Sequence, residues 1–179
     1  MTAPTLGTLD WQPATDHSDL LAPTVPAALA DLDARVAEID PGVADTAAFC
    51  ERYDVPAAAA ANCVVLVGKR EGREVWAGAV VLATTRADVN GVIRKHLDVR
   101  KISFAPMATA VERTGMEYGG ITPVGLPPEW PVLVDRAVVD AGLVVIGSGL
   151  RRSKVLLEGT AVAALPTVTV LDGMANPVG

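Results

Sequence analysis

Histidine is nearly missing from this chain, with only His17 and His96 in 179 residues. The first lies in a polar stretch and the second at a predicted helix end, so neither has the surroundings of a zinc site or a Ser-His-Asp triad. Cysteine is equally scarce. Cys50 and Cys63 stand apart without a C-x-x-C pair, each in an apolar pattern, and read as buried free thiols rather than a disulfide or ligand pair. Aromatic residues make up 4% of the chain, so the core must be built from small aliphatic side chains, chiefly Ala and Val. No apolar run approaches the roughly 18 residues of a membrane span. The first 20 residues carry Asp10, Asp16 and Asp19 where a signal peptide would be basic and then apolar. A cytoplasmic protein that needs no metal or cofactor is the expectation.

The net charge of −6 speaks against a nucleic-acid partner, but the charge is unevenly spread. Residues 1–68 carry two basic and ten acidic side chains, whereas residues 69–154 carry thirteen basic and nine acidic. The basic residues cluster as Lys69-Arg70 with Arg73, Arg94-Lys95, Arg100-Lys101, and Arg151-Arg152 with Lys154. If these turns share a face they could hold a phosphate backbone; otherwise they are solvated charges at loop tips.

Residues 1–22 lack periodicity and read as a poorly ordered leader from which Trp11 docks on the body. A single domain over 23–171 follows, and residues 172–179 read as a frayed tail. Pro26 opens a predicted helix with Leu29, Leu32, Val36 and Ile39 on one stripe, ended by Pro41-Gly42. Asp45 is the expected N-cap of a second helix, with Phe49 and Tyr53 one turn apart, either filling the core or lining a pocket. Residues 62–68 read as a central strand, and a turn at 69–73 leads into a second strand over 74–83. Thr84-Thr85 and Asp88 predict the start of a helix carrying Val89, Val92, Ile93 and Leu97 inward. A short strand over 100–104 precedes a helix opened by Pro106, with Met107, Ala110, Val111 and Thr114 inward and Gly115 as its left-handed terminator. Residues 131–135 and 142–146 read as paired strands. Gly147-Ser148-Gly149 then turns into a strand over 154–157, a short helix over 159–165 and a last strand over 167–171. Together these predict an α+β architecture with a mixed sheet curling toward a partial barrel.

The most irregular stretch is Tyr118-Gly119-Gly120-Ile121-Thr122-Pro123-Val124-Gly125-Leu126-Pro127-Pro128. Three glycines and three prolines exclude a continuous helix or central strand. Such a loop is either a plain surface turn or one whose bare backbone N–H groups face a ligand.

With this order of elements the chain resembles the YbaK/prolyl-tRNA synthetase-associated editing domain family. The likeness covers about residues 25–165. It rests on Gly119-Gly120-Ile121-Thr122-Pro123, the preceding Glu112-Arg113-Thr114-Gly115, the strand end Val134-Asp135, and the turn Gly147-Ser148-Gly149-Leu150-Arg151. The resemblance implies hydrolysis of the ester between a wrong amino acid and the terminal ribose of tRNA, using a positioned water and the ribose hydroxyl rather than a protein nucleophile. It implies mischarged tRNA as the partner and no cofactor. Carried onto this chain, Gly119 and Gly120 would bind the carbonyl or ribose end through their N–H groups. Thr122 would help hold the carbonyl and ribose, and Asp135 and Ser148 would contact the amino acid or shape its pocket. Pro123 and Gly149, beside them in the matched motifs, and Phe49 and Tyr53, on the pocket-lining alternative, complete the expected substrate-binding set.

One departure stands out. The family's characteristic lysine at the start of the first central strand is replaced by Asn62, in Asn62-Cys63-Val64-Val65. An amide donates and accepts hydrogen bonds but carries no charge. Asn62 is therefore expected either to position the ester in a catalytic site of altered mechanism or merely to close a turn. The alternative function is a non-catalytic protein of the same fold that recognises an amino acid, an aminoacyl-adenosine or a protein partner.

Overall fold

Runs of Ala and Val, the β-branched Val prevailing where strands form, build two large sheets and a two-stranded ribbon whose connections carry short helices. In the computed structural model, which describes residues 2–178, the chain passes through β1 (Gln12–Pro13), α1 (Val25–Leu29), β2 (Arg35–Glu38) and α2 (Thr46–Tyr53). The long hairpin of β3 (Ala61–Arg70) and β4 (Arg73–Leu82) follows. Next come β5 (Thr85–Ala87), α3 (Arg94–His96, entered through a π-type turn at Val89–Ile93), β6 (Lys101–Phe104) and α4 (Met107–Thr114). Beyond the glycine-proline loop lie β7 (Val132–Asp135), α5 (Arg136–Asp140), β8 (Leu143–Gly147), β9 (Ser153–Glu158), α6 (Gly159–Ala163), β10 (Val168–Leu171) and β11 (Ala175–Pro177).

The order β1-β2-β9-β8 forms an antiparallel sheet. The second sheet, β10-β7-β4-β3-β6, is mixed: β4-β3-β6 are antiparallel neighbours and β10-β7-β4 parallel ones. A single parallel bridge between Ala60 and Val145 joins the two at the entrance of β3. The α+β class and mixed sheet are as expected, but the sheets stay open rather than closing into a barrel.

Three apolar layers follow from the pleat, because successive side chains on a strand face opposite ways. Between the sheets, Val36, Ile146, Val155 and Leu157 share a core with Val65, Val80, Val132 and Val134. Outside the first sheet, Trp11, Phe49, Val145 and Leu156 cluster; outside the second, Leu66, Ile93, Leu133 and Met174 do.

Several expectations are corrected. Trp11 docks as expected, buried with its Nε1 donating to the Leu6 carbonyl, but the supposed leader is itself part of the body, since β1 pairs with β2 and Ala22 is fully covered. The supposed tail is held too, with Met174 fully buried and β11 paired to β5. Met1 and Gly179, the outer ends of both segments, lie outside the described residues. The helix expected through Ile39 stops at Leu29, and Val36 lies in β2. Its apolar spacing of three and four also fits a short helix followed by a strand, and pairing with β9 decided between them. The strands expected to pair with each other, β7 and β8, lie in different sheets because α5 intervenes. Met107, expected inward, is exposed.

Asp135, read as a pocket residue, instead ties elements together. Its buried carboxylate caps α5 at the Ala137 N–H (3.3 Å) and accepts the buried Met174 N–H (3.0 Å). Asp135→Ala leaves both donors unmatched and should lower stability by about 2–4 kcal/mol, read as a shift in the urea midpoint.

Candidate functional site

The site originates in the fork where the two sheets part. Ala60 bonds toward β4 through its carbonyl, which accepts the Ala83 N–H at 2.8 Å. The carbonyls of Val65 and Lys69 face the other edge and accept from Ala105 and Arg100, both at 2.9 Å. By the two-residue alternation of a strand, Cys63 also presents its backbone to that second edge. Pairing with β6 begins only at Leu66, so beside Cys63 the edge is open. A cavity of about 850 Å³ occupies the opening.

Register then aligns three residues across it. The bridge sets Ala60 against Val145, which places Asn62 level with Gly147 two residues on, and Gly147 pairs with Lys154. Paired residues on neighbouring strands share a face, so the Asn62 and Lys154 side chains flank the side-chain-free Gly147. The glycine loop descends on this gap: a Cβ at Gly147 would stand 2.6 Å from the Ile121 carbonyl oxygen. The Gly149 N–H donates to the Gly120 carbonyl at 2.7 Å and fastens the loop. Arg151 holds it from outside, donating to the carbonyls of Tyr118 (3.1 Å) and Pro41 (2.9 Å).

Asn62 is half-buried, and its Oδ1 accepts from the Thr46 hydroxyl at the start of α2. Its Nδ2 has no hydrogen-bond partner among the described residues, leaving two donors at the cavity wall. Lys154 is 7% exposed; its Nζ donates to the Ala44 carbonyl at 3.0 Å and lies 5.2 Å from the centre of the Phe49 ring. Both side chains thus reach the same turn, Ala44 to Thr46. Burial pushes the Lys154 ammonium below the usual lysine range, opposed by Cys50 and Asp45 and reinforced by Arg151. Burial raises the Cys50 thiol, partly offset by Lys154, and pushes the Cys63 thiol up to about 12.

Of the residues singled out from sequence, Asn62 and Gly119 line the cavity. Gly119 takes φ +88°, and its N–H has no acceptor among the described residues. Gly120 contributes differently from expectation, because its N–H is engaged by the Glu117 carbonyl at 2.9 Å. The remaining residues do not line it. Phe49 lies beneath the floor, and the Tyr53 hydroxyl accepts from the Asp40 N–H on the far side of α2. Thr122 and Pro123 are buried, with the Thr122 hydroxyl accepting from Val124 N–H. Ser148 is wholly buried and bonds Ser153 Oγ at 2.6 Å, so Gly147 rather than Ser148 forms the wall. Gly149, at φ +87°, packs against Ala22.

Sequence reasoning named Lys154, Met107 and Tyr118 without assigning them to the site, and passed over Thr46 and Phe104. Lys154 had a signal: a lone charge inside Ser153-Lys154-Val155-Leu156-Leu157, a strand apolar on both faces. The rim comprises Phe104, Met107 and Tyr118, each more than half exposed and each lining the cavity. Among the described residues no group of three or more His, Cys, Asp or Glu is placed to hold a metal, and no helix is long and apolar enough to cross a membrane.

The fold agrees with comparison to known proteins. The aminoacyl-tRNA editing domain family is matched over residues 40–165, and the chain belongs to that family. A solved candidate trans-editing enzyme for prolyl tRNA synthetase is 21% identical, with a TM-score of 0.72 over 84% of this chain and 94% of that one. The crystal structure of the hypothetical protein APE2540 is 18% identical, with a TM-score of 0.70 over 80% and 91% of the two chains. At such identities these likenesses speak for the fold. A search of curated proteins found no match.

Two outcomes follow from the site's geometry. A Cβ at Gly120 would stand 2.6 Å from the Leu150 carbonyl carbon, a backbone atom that cannot swing aside. Gly120→Ala should therefore cost about 1–3 kcal/mol in denaturant unfolding. For Cys63, the unfolded thiol releases its proton near 9.0 and the folded one only near 12. The folded state binds more protons in that window, so stability falls as pH rises through it, by up to about 1.4 kcal/mol per unit. Unfolding curves at pH 8 and pH 10.5 should diverge less for Cys63→Ala than for the natural protein.

Proposed function

We propose that this chain is a trans-acting editing hydrolase that releases a small mischarged amino acid from tRNA, with Asn62 working where the family's lysine stands. The observation that carries this reading is that Asn62 and Gly119 line one cavity, and that neither the Asn62 Nδ2 nor the Gly119 N–H has an acceptor among the described residues. Both suit the carbonyl oxygen of an ester. A water attacks the carbonyl carbon, and these donors stabilise the oxyanion that forms. The bond to the ribose oxygen then breaks, that oxygen takes up a proton, and the amino acid leaves as a carboxylate. No protein nucleophile is required, in keeping with a lining that contains no histidine and with cysteine thiols held protonated.

The walls favour a small acyl group. Ala44, Ala47 and Ala57 line the same cavity as Asn62 and Lys154. At the mouth, the flat faces of Phe104 and Tyr118 suit stacking by the terminal adenine, an interaction of about 1–3 kcal/mol per base that needs no basic surface. Stacking reconciles a tRNA partner with a chain of net charge −6. A cytoplasmic site of action goes with this substrate.

A panel of tRNAs mischarged with small amino acids tests the reading. At least one should be deacylated well above the rate in buffer, and Asn62→Ala should lower kcat/KM about tenfold, the worth of one hydrogen bond made in the transition state. The absence of an anchored charge at Asn62 favours a second reading, a binding protein without turnover. No deacylation across the panel, together with saturable binding of an aminoacyl-adenosine analogue, would establish that reading instead.

A further inference from the structure

A lysine in the middle of a sheet is costly unless its charge is answered. β9 lies between β2 and β8, and Lys154 pairs with Ala37 on one side and Gly147 on the other. Those two small neighbours leave room for the lysine stem to run along the sheet. The ammonium finds one neutral carbonyl, that of Ala44, and the face of Phe49, with no carboxylate within ion-pair distance among the described residues. An ammonium has three donors, so two have no acceptor among the described residues. Across Gly147, the Asn62 amide is likewise short of acceptors.

We propose that Lys154 and Asn62 together form a subsite for a small carboxylate, whose two oxygens answer the ammonium on one side of Gly147 and the amide N–H on the other. The inference rests on the cavity being the ligand site of the proposed hydrolase, where the released amino acid is itself such an anion. A short aliphatic carboxylate fits both parts of the surroundings: one oxygen for each of the two donor groups, and a small side chain against Ala44, Ala47 and Cys50. A phosphate fits less well, since it brings more negative charge than one ammonium answers, with the Asp45 carboxylate at the rim. Cys50 and Asp45 favour the charged ammonium, whereas burial and Arg151 disfavour it. An anion beside Nζ shifts that balance toward the charged form.

Acetate and L-alanine are the probes, titrated into the full chain while the 13Cε resonance of Lys154 and the thermal midpoint are followed. The expected result is a saturable shift of that resonance and a rise in midpoint, with affinity at least tenfold weaker in Lys154→Met and largely retained in Lys154→Arg. Without any added anion, Lys154→Met should melt higher than the natural protein, because it removes an unanswered buried charge. Equal acetate-dependent stabilisation in the natural protein and Lys154→Met overturns the proposal, as does a resonance that no carboxylate moves. Binding of inorganic phosphate without acetate or alanine overturns the carboxylate assignment. Saturable alanine binding in a protein that deacylates no mischarged tRNA would uphold the subsite and reject the hydrolase reading, so the two fail separately.

Discussion

The site depends on one backbone contact, the hydrogen bond from the Gly149 N–H to the Gly120 carbonyl at 2.7 Å. Two loops separated by a strand, a helix and a further strand can approach this closely only because side chains are missing on both sides. A Cβ at Gly120 would strike Leu150, and one at Gly147 would strike the carbonyls of Gly120 and Ile121. Glycine is tolerated here for its lack of bulk, and at Gly119 also for its positive φ. Once the loop is seated, the Gly119 N–H and Tyr118 ring have fixed positions at the cavity, and Arg151 secures the loop from outside.

The second determinant is electrostatic. A neutral amide at the start of β3 lowers the charge of the cavity at that position, while a buried ammonium enters from β9. The two are brought level by the Ala60–Val145 bridge and the β8–β9 pairing. Both side chains also bind the turn from Ala44 to Thr46, so the N-terminus of α2 forms part of the same wall. The positive charge of this cavity wall therefore comes from β9 rather than from β3. Retaining an ammonium with so few partners opposes stability, and such costs concentrate where a ligand later supplies the missing interaction.

The elements most legible in the sequence were those specified locally. Asp45 caps α2, the turn at Gly72 joins β3 to β4, and Gly115 terminates α4 with φ +68°, all as their residue types require. Each choice depends on steric or hydrogen-bonding preferences within a few residues. The errors have the opposite character. Val36 sits on a spacing compatible with helix, and pairing to a strand more than a hundred residues away made it β-structure. Trp11 docks as expected, but Ala22 and Met174, in stretches of little pattern, are also buried because other elements cover them.

The same division runs through the site. Asn62 and the glycine loop could be recognised from sequence because each is an exception within its own segment, and the α+β class followed from the order of strands and helices. Sequence alone determined which residues lacked a side chain, a charge or an ordinary backbone conformation. Only the tertiary structure decided which of them meet. Strand register sets Lys154 opposite Gly147, the sheet fork opens the space, and the buried environments of Asp135 and Ser148 turn two expected ligand contacts into internal supports. Such relations depend on long-range pairing, which no local preference along the chain encodes.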